Sequence, residues 1–259
     1  MADAVRVERN GAIATVVLDR PHKLNALSLA AWTGLGARMR ELSADNALRC
    51  VIVRGAGTKA FAAGADIGEF PAVRANAAQG RDYGELIHAT MRAIGECRHP
   101  TVAMIHGVCV GGGLEVALMC DLRICGAGSR FGIPINRLGL TMGYGELAGL
   151  LAVVGPAVAL EILLEGRIFG AQEAYDKGLV QRVVADDQVE AEVHATAARI
   201  AAGAPLVARW HKQFIRRLAA KPQLSDAQWA EGYACFDSAD FREGLQAFLD
   251  KREPRFRGD

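Results

Sequence analysis

Two periodicities alternate along the first half of this chain. Val5 to Val7 and Ile13 to Leu18 are β-rich runs separated by Asn10-Gly11, a pair that suits the positive φ angles of a tight hairpin turn. Trp32, Leu35, Met39 and Leu42 step by three and four, which places them on one stripe of an amphipathic helix. A second strand pattern covers Cys50 to Val53. Ile87, Met91 and Ile94 mark another helix that ends before Pro100, and Thr101 to Ile105 is a short apolar strand. A helix-like segment follows it, then a strand over Leu122 to Cys125. Strands and helices alternating in this way predict parallel βαβ units and an α/β fold. The small, polar stretch Ala72 to Gly80 carries neither period and reads as a mobile loop. After about Glu146 the pattern turns mostly helical, with breaks at Gly155-Pro156, Gly166, Gly203 and Pro222; Ser225 with Gln228 fits a capping box that opens a helix.

Composition narrows the function classes. A chain of 259 residues, 51% hydrophobic and 23% charged, has ample length for a full core and an ordinary globular balance. A formal net charge of +1 gives no bulk attraction to nucleic acid or to an anionic membrane. The basic residues at Lys251-Arg252 and Arg255 to Arg257 read as a solvated tail. Six scattered cysteines contain no CxxC pair and behave as small hydrophobes, which suits a reducing compartment. With no apolar signal region in the first ten residues, the expectation is a cytoplasmic protein. A long uncharged run, Leu147 to Leu160, is broken by Gly155-Pro156 and falls short of the roughly 20 apolar residues of a membrane span, so it reads as buried helices. There is no internal repeat, no P-loop and no dinucleotide-type glycine pattern, and the histidines lack metal spacing, so neither NAD nor a metal is expected.

Candidate chemistry gathers at two glycine-rich turns. The strand Thr101 to Ile105 leads to Gly111, Gly112 and Gly113, and the helix-like segment after them carries Glu115 in its first turn. Glycines allow a ligand close to the main chain. A helix start leaves N–H groups without partners and carries partial positive charge, a setting for developing negative charge. A carboxylate beside it can accept or donate a proton. Lys59 to Phe70, read K-A-F-A-A-G-A-D-I-G-E-F, follows the Cys50 strand and the Gly55, Gly57 turn and again has small residues from Ala62 to Ala65.

With these two turns the chain resembles the crotonase, or enoyl-CoA hydratase/isomerase, superfamily. The resemblance runs in order through R-P-H-K-L-N-A-L near the N-terminus, F-A-A-G-A-D-I, G-G-G-L-E-V-A-L-M-C-D, F-G-I-P after Arg130, and Ala174 to Val184. It implies a spiral of ββα units over residues 1–195, a helical C-terminal trimerisation region over 196–259, and homotrimers that pair into hexamers. It further implies an oxyanion hole from the backbone N–H groups of Ala65 and Gly112, and a small-molecule acyl-CoA thioester as substrate, with no tightly bound cofactor beyond the coenzyme A that the substrate carries. Glu115 matches the first of two glutamates that hold a water over the double bond in hydratases of the family. The position of the second is Ile135, which cannot transfer a proton. Asn136, Tyr144 and Glu146 are the nearby candidates to replace it, against the plain readings of a packed tyrosine and a helix-capping carboxylate. By the same resemblance Ala63, Asp66, Ile67 and Gly68 border the thioester, and Phe248 and Lys251 reach coenzyme A across a subunit interface; Lys251 could equally be a solvated lysine. Asp121 reads as structural, His106 as packed. The acyl pocket is expected between the Phe70 to Gly80 region and Ile133 to Met142, where Ile133, Ile135, Leu138 and Leu140 are either pocket or core. Hydration of an enoyl-CoA is the leading reading. Isomerase, decarboxylase, thioester hydrolase and a non-catalytic acyl-CoA binder stay open because of Ile135.

Overall fold

The Asn10-Gly11 pair turns the chain as its sequence predicts. β1 (Val5–Asn10) and β2 (Ile13–Leu18) pair antiparallel across it, with Gly11 at φ 56°, in a computed structural model that describes residues 4–220 and 223–259. Three units follow. Each sends one strand into a large sheet and the next into a small one: β3 (Cys50–Gly55) then β4 (Ala60–Ala62), β5 (Thr101–Ile105) then β6 (Val108–Val110), and β7 (Leu122–Gly126) then β8 (Arg130–Gly132). With β9 (Phe169–Gly170) and β10 (Arg182–Val184) the sheets read β1-β2-β3-β5-β7-β10 and β4-β6-β8-β9. All pairings are parallel except β1 with β2 and β8 with β9. This is the spiral of ββα units that the resemblance implies.

The helices fill the outer layers. α1 (Leu29–Ala44) opens at Ser28, whose Oγ accepts from the Ala31 N–H at 3.2 Å. Its predicted stripe of Trp32, Leu35, Met39 and Leu42 is wholly buried and shares one core with Ile87, Met91 and Ile94; full burial of such a side chain contributes about 1.5–3 kcal/mol. α2 (Phe70–Val73) and α3 (Ala77–Gly95) correct the loop expected over Ala72 to Gly80. Asn76 caps α3 through its side chain, which accepts from the Gln79 N–H at 3.1 Å. The first turn holds two alanines, strong helix formers that leave no apolar period because the segment faces solvent. α4 (Gly112–Met119) follows β6 and is buried along nearly its whole length.

α5 (Tyr144–Glu165) corrects a second expectation. Only Leu150, Ala159 and Ile162 of it are buried, while Leu151, Leu160 and Leu164 are exposed in the protomer. Among the described residues it alone is long and apolar enough to cross a membrane by length and composition. Gly155 nevertheless breaks it, with φ 71° and ψ 174°. Each arm is therefore about 15 Å long against a hydrocarbon core of about 30 Å.

α6 (Ala171–Asp176) leads into β10, and α7 (Val189–Ala202) covers the outer face of the large sheet. Val189, Val193 and Ala197 pack on Cys50, Ile52, Val102, Met104 and Ile124. The boundary expected at residue 195 thus falls inside a core helix, because one stripe of α7 is sheet-facing throughout; the helices leave the core after Gly203. α8 (Pro205–Ala220), α9 (Asp226–Glu231) and α10 (Ala239–Leu249) complete the chain. Asp121 anchors α8: it accepts from the Thr101 N–H at 2.8 Å and pairs with Lys212 at 2.8 Å and Arg216 at 2.9 Å. The capping box of α9 forms, with Gln228 Oε1 accepting from the Ser225 N–H at 2.9 Å. The turn expected at Pro222 lies outside the described residues.

Candidate active site

The N-terminal segment R-P-H-K-L-N-A-L serves as a clamp. Leu24 and Asn25 adopt positive φ, 50° and 56°, and the buried Asn25 side chain donates to the Ala56 and Ala60 carbonyls at 3.1 and 2.8 Å. Arg20 donates to the Ala26 carbonyl at 2.7 Å and to Asp66 at 2.9 Å, and Lys23 reaches the same carboxylate at 2.9 Å. Lys23 and then Arg20 hold the Asp66 carboxyl below its ordinary value. Asp66, expected beside the thioester, is instead spent on fixing the loop after β4.

That loop aims one amide. The Leu27 N–H donates to the Gly64 carbonyl at 2.8 Å and the Asp66 N–H donates to the Leu27 carbonyl at 2.9 Å. In an extended segment alternate groups face opposite sides, so the Ala65 N–H points away from Leu27. A Cβ built on Gly112 would lie 3.5 Å from the Ala65 nitrogen, so the first amide of α4 sits beside it. Among the described residues neither N–H finds an acceptor. Two features hold α4 in place. Gly113 packs on β4 so closely that a Cβ there would lie 2.2 Å from the Ala62 carbonyl oxygen. The buried Arg123 donates to the Leu179, Cys120 and Ala117 carbonyls at 2.7, 2.6 and 3.4 Å, which satisfies the open carbonyl end of α4.

A cavity of about 120 Å³ lies in front of the two amides. Its walls include Ala63, Ala65, Ile67, Gly112, Glu115 and Glu146, together with Trp32, Phe70, Arg74, Ile135, Leu138, Leu140 and Met142. Ile133 belongs to the core, whereas Ile135, Leu138 and Leu140 face the cavity. Glu115 is 8% exposed. Burial, then the charge of Glu146, pushes its carboxyl up to about 8, against a weaker opposing pull from Arg74. Glu146, in the first turn of α5, is held by a hydrogen bond between its Oε2 and His88 Nε2 of α3 at 3.1 Å. Glycines make that meeting possible: a Cβ on Gly145 would lie 2.5 Å from the His88 ring, and one on Gly143 would lie 2.4 Å from Glu146 Oε2.

The other candidates separate cleanly. Tyr144 is 93% exposed and outside the cavity; as first residue of α5 it leaves on the side opposite Glu146. Asn136 Nδ2 donates to the Leu164 carbonyl at 3.1 Å and its amide packs on Gly166, which commits it to the end of α5. Gly68 is exposed and off the cavity wall. Phe248, 82% exposed on α10, and Lys251 lie away from the cavity of their own protomer. His106 is buried, as read from sequence. Among the described residues no three His, Cys, Asp or Glu side chains cluster as a metal site. His88, Arg74 and Trp32 were missed as site residues. Trp32 was read only as core, and no local motif marks the other two.

Comparisons with known proteins show the family. The family model described as enoyl-CoA hydratase/isomerase matches residues 8–259. A probable enoyl-CoA hydratase of Mycobacterium bovis is 35% identical over 98% of this chain and 98% of its own length. The short-chain-enoyl-CoA hydratase of Clostridium acetobutylicum is 33% identical over 96% and 95%. The crystal structure of an enoyl-CoA hydratase/carnitine racemase from Magnetospirillum magneticum superposes with a TM-score of 0.98 at 51% identity, covering 100% of this chain and 97% of that one.

Proposed function

Because this chain belongs to the enoyl-CoA hydratase/isomerase family, we propose that it adds water across the double bond of an enoyl-CoA thioester, with coenzyme A entering as part of the substrate. The observation that carries this reading is the convergence of two unpartnered amides, Ala65 and Gly112, on a cavity that also holds Glu115 and Glu146. The thioester carbonyl oxygen accepts from both N–H groups. Each such donor stabilises the developing oxyanion by about 3–4 kcal/mol.

The two carboxyls divide the proton transfers. Glu115, held at about 8, keeps its proton near neutral pH and is the acid; Glu146, oriented by His88 at 3.1 Å, is the base. Burial favours the protonated form of Glu115, which suits that carboxyl to deliver a proton. The water oxygen bonds to C3 as Glu146 takes one of its protons. The C2–C3 π pair moves toward the thioester, and the enolate so formed takes the Glu115 proton at C2. A water then returns the proton from Glu146 to Glu115. Glu146 thereby supplies from α5 what Ile135 cannot supply from the segment before it.

The test is loss of the conjugated enoyl-thioester absorbance with crotonyl-CoA. Turnover is expected, and Glu146→Gln is expected to lower kcat by about 10²–10⁴-fold. His88→Gln, which keeps a hydrogen bond, should retain more kcat than His88→Leu. Unchanged kcat in Glu146→Gln would place the base elsewhere. No turnover by a folded protein would remove the hydratase reading.

The same reading extends to assembly in a reducing, cytoplasmic setting, where the five buried free thiols act as small apolar side chains. Ile215, Trp229, Tyr233, Phe236, Leu245 and Phe248 expose large apolar surfaces on α8, on α10 and around α9. Apolar exposure on this scale marks a partner-binding face, and a homotrimer, alone or paired into a hexamer, covers it. Light scattering is expected to give the trimer or hexamer mass; a monomer at micromolar concentration would overturn it.

A further inference from the structure

The cavity carries one cation whose role the reaction does not use. Arg74 follows α2 directly. Its guanidinium carbon lies 4.8 Å from the centroid of the Phe70 ring and 4.8 Å from that of Tyr83, and those rings meet edge to face with centroids 6.3 Å apart. Contact with two aromatic rings restrains the guanidinium, whose forked N–H donors suit a carboxylate. Among the described residues no carboxylate lies within ion-pair distance of that edge. Two other arginines near the site are matched: Arg20 by Asp66, and Arg123 by three carbonyls. Glu115 does not neutralise Arg74, because burial and Glu146 together outweigh the Arg74 attraction and keep the proton on Glu115.

The surrounding wall sharpens the contrast. Trp32, Ile67, Leu138, Leu140 and Met142 are apolar, so the guanidinium edge meets few water molecules once an acyl chain fills the cavity. An unpaired charged donor in such a place costs stability of the complex, and a carboxylate that takes two of its N–H bonds reverses the sign. A cation at the same place would be repelled.

We propose that Arg74 receives a carboxylate at the far end of the acyl chain, so that short enoyl-CoA thioesters of dicarboxylic acids are the preferred substrates. This rests on the cavity being the acyl site of the proposed hydratase. The phosphates of coenzyme A are the other anions within the same substrate, and the experiment separates the two.

Binding is read by calorimetry with two saturated, unreactive thioesters of equal carbon count, glutaryl-CoA and pentanoyl-CoA. Turnover is read with their enoyl counterparts, glutaconyl-CoA and 2-pentenoyl-CoA. The wild-type protein is expected to prefer the carboxylate-bearing member of each pair by about 10- to 100-fold. Arg74→Met is expected to collapse that ratio toward one, and Arg74→Lys, which keeps charge but not the fork, to fall between. A thioester ending in a quaternary ammonium should bind more weakly than pentanoyl-CoA to the wild type and lose that disadvantage in Arg74→Met. Equal weakening of glutaryl-CoA and pentanoyl-CoA in Arg74→Met would assign the residue to coenzyme A phosphate and overturn the proposal, as would hydration of both enoyl thioesters without preference. If neither is hydrated while the binding preference and its loss in Arg74→Met persist, the hydratase reading fails and the carboxylate site stands.

Discussion

Glu115→Gln is expected to lower kcat by about 10²–10⁴-fold, the usual share of a positioned acid, while leaving the protein at least as stable as the wild type. The two effects have one cause. Burial, with help from Glu146, holds the Glu115 carboxyl at about 8 instead of its ordinary 4.5. Between those values the folded protein keeps a proton that the unfolded chain has released. Stability rises with pH only where the unfolded state binds more protons. Here the folded state binds more, so this group makes the protein progressively less stable from about 4.5 up to about 8. Glutamine has the shape of the protonated acid and nothing to ionise, so the variant should lose less stability across that window. Denaturant midpoints at about pH 5 and about pH 8 for both proteins would check it. An equal loss in both would mean that burial of Glu115 is not the source. The same assignment makes wild-type kcat/KM fall as pH rises past about 8, because the acid must carry its proton into the reaction.

Gly113→Ala should damage both fold and rate. The added Cβ would lie 2.2 Å from the Ala62 oxygen, 2.8 Å from its Cβ and 2.9 Å from its carbonyl carbon. These atoms belong to β4 and cannot rotate aside, so α4 and β4 must separate. Overpacking of this kind costs about 1–3 kcal/mol. The separation also moves the Gly112 amide relative to the Ala65 amide, and an error near 1 Å in such a site can cost about 10²-fold in rate. Gly84→Ala is the control: α3 has open space there, with nothing within 4 Å, and a helical alanine should stabilise by about 0.5–1 kcal/mol. If Gly113→Ala melts with the wild type and turns over crotonyl-CoA at the same rate, the close packing of α4 on β4 does not set the amide pair.

Much of the fold was legible along the chain because its signals are local. The hairpin at Asn10-Gly11 and the Trp32, Leu35, Met39, Leu42 stripe depend on residues a few positions apart, and both form where they were read. Where the signal failed, the surroundings were the reason. Ala77 and Ala78 make helix without any apolar period. The apolar run of α5 looks like core, but little of it is fully buried in the protomer.

The site divides along the same line. Glu115, Ala65 and Gly112 stand out because glycine-rich turns and a helix start are written in contiguous residues, and their order along the chain was enough to resemble one family. Sequence alone also determined that Ile135 cannot act as a base. It could not choose among Asn136, Tyr144 and Glu146, which lie within one short stretch. Tertiary structure separates them: α3 packs against the start of α5, where His88 meets Glu146 across 58 positions on the cavity wall, while Asn136 is tied to the far end of α5 and Tyr144 is turned outward. Arg74 gains its meaning in the same way, from two rings and an apolar wall brought together from separate elements. Periodicity records which face of an element is apolar; which polar groups then face one another depends on how those faces pack.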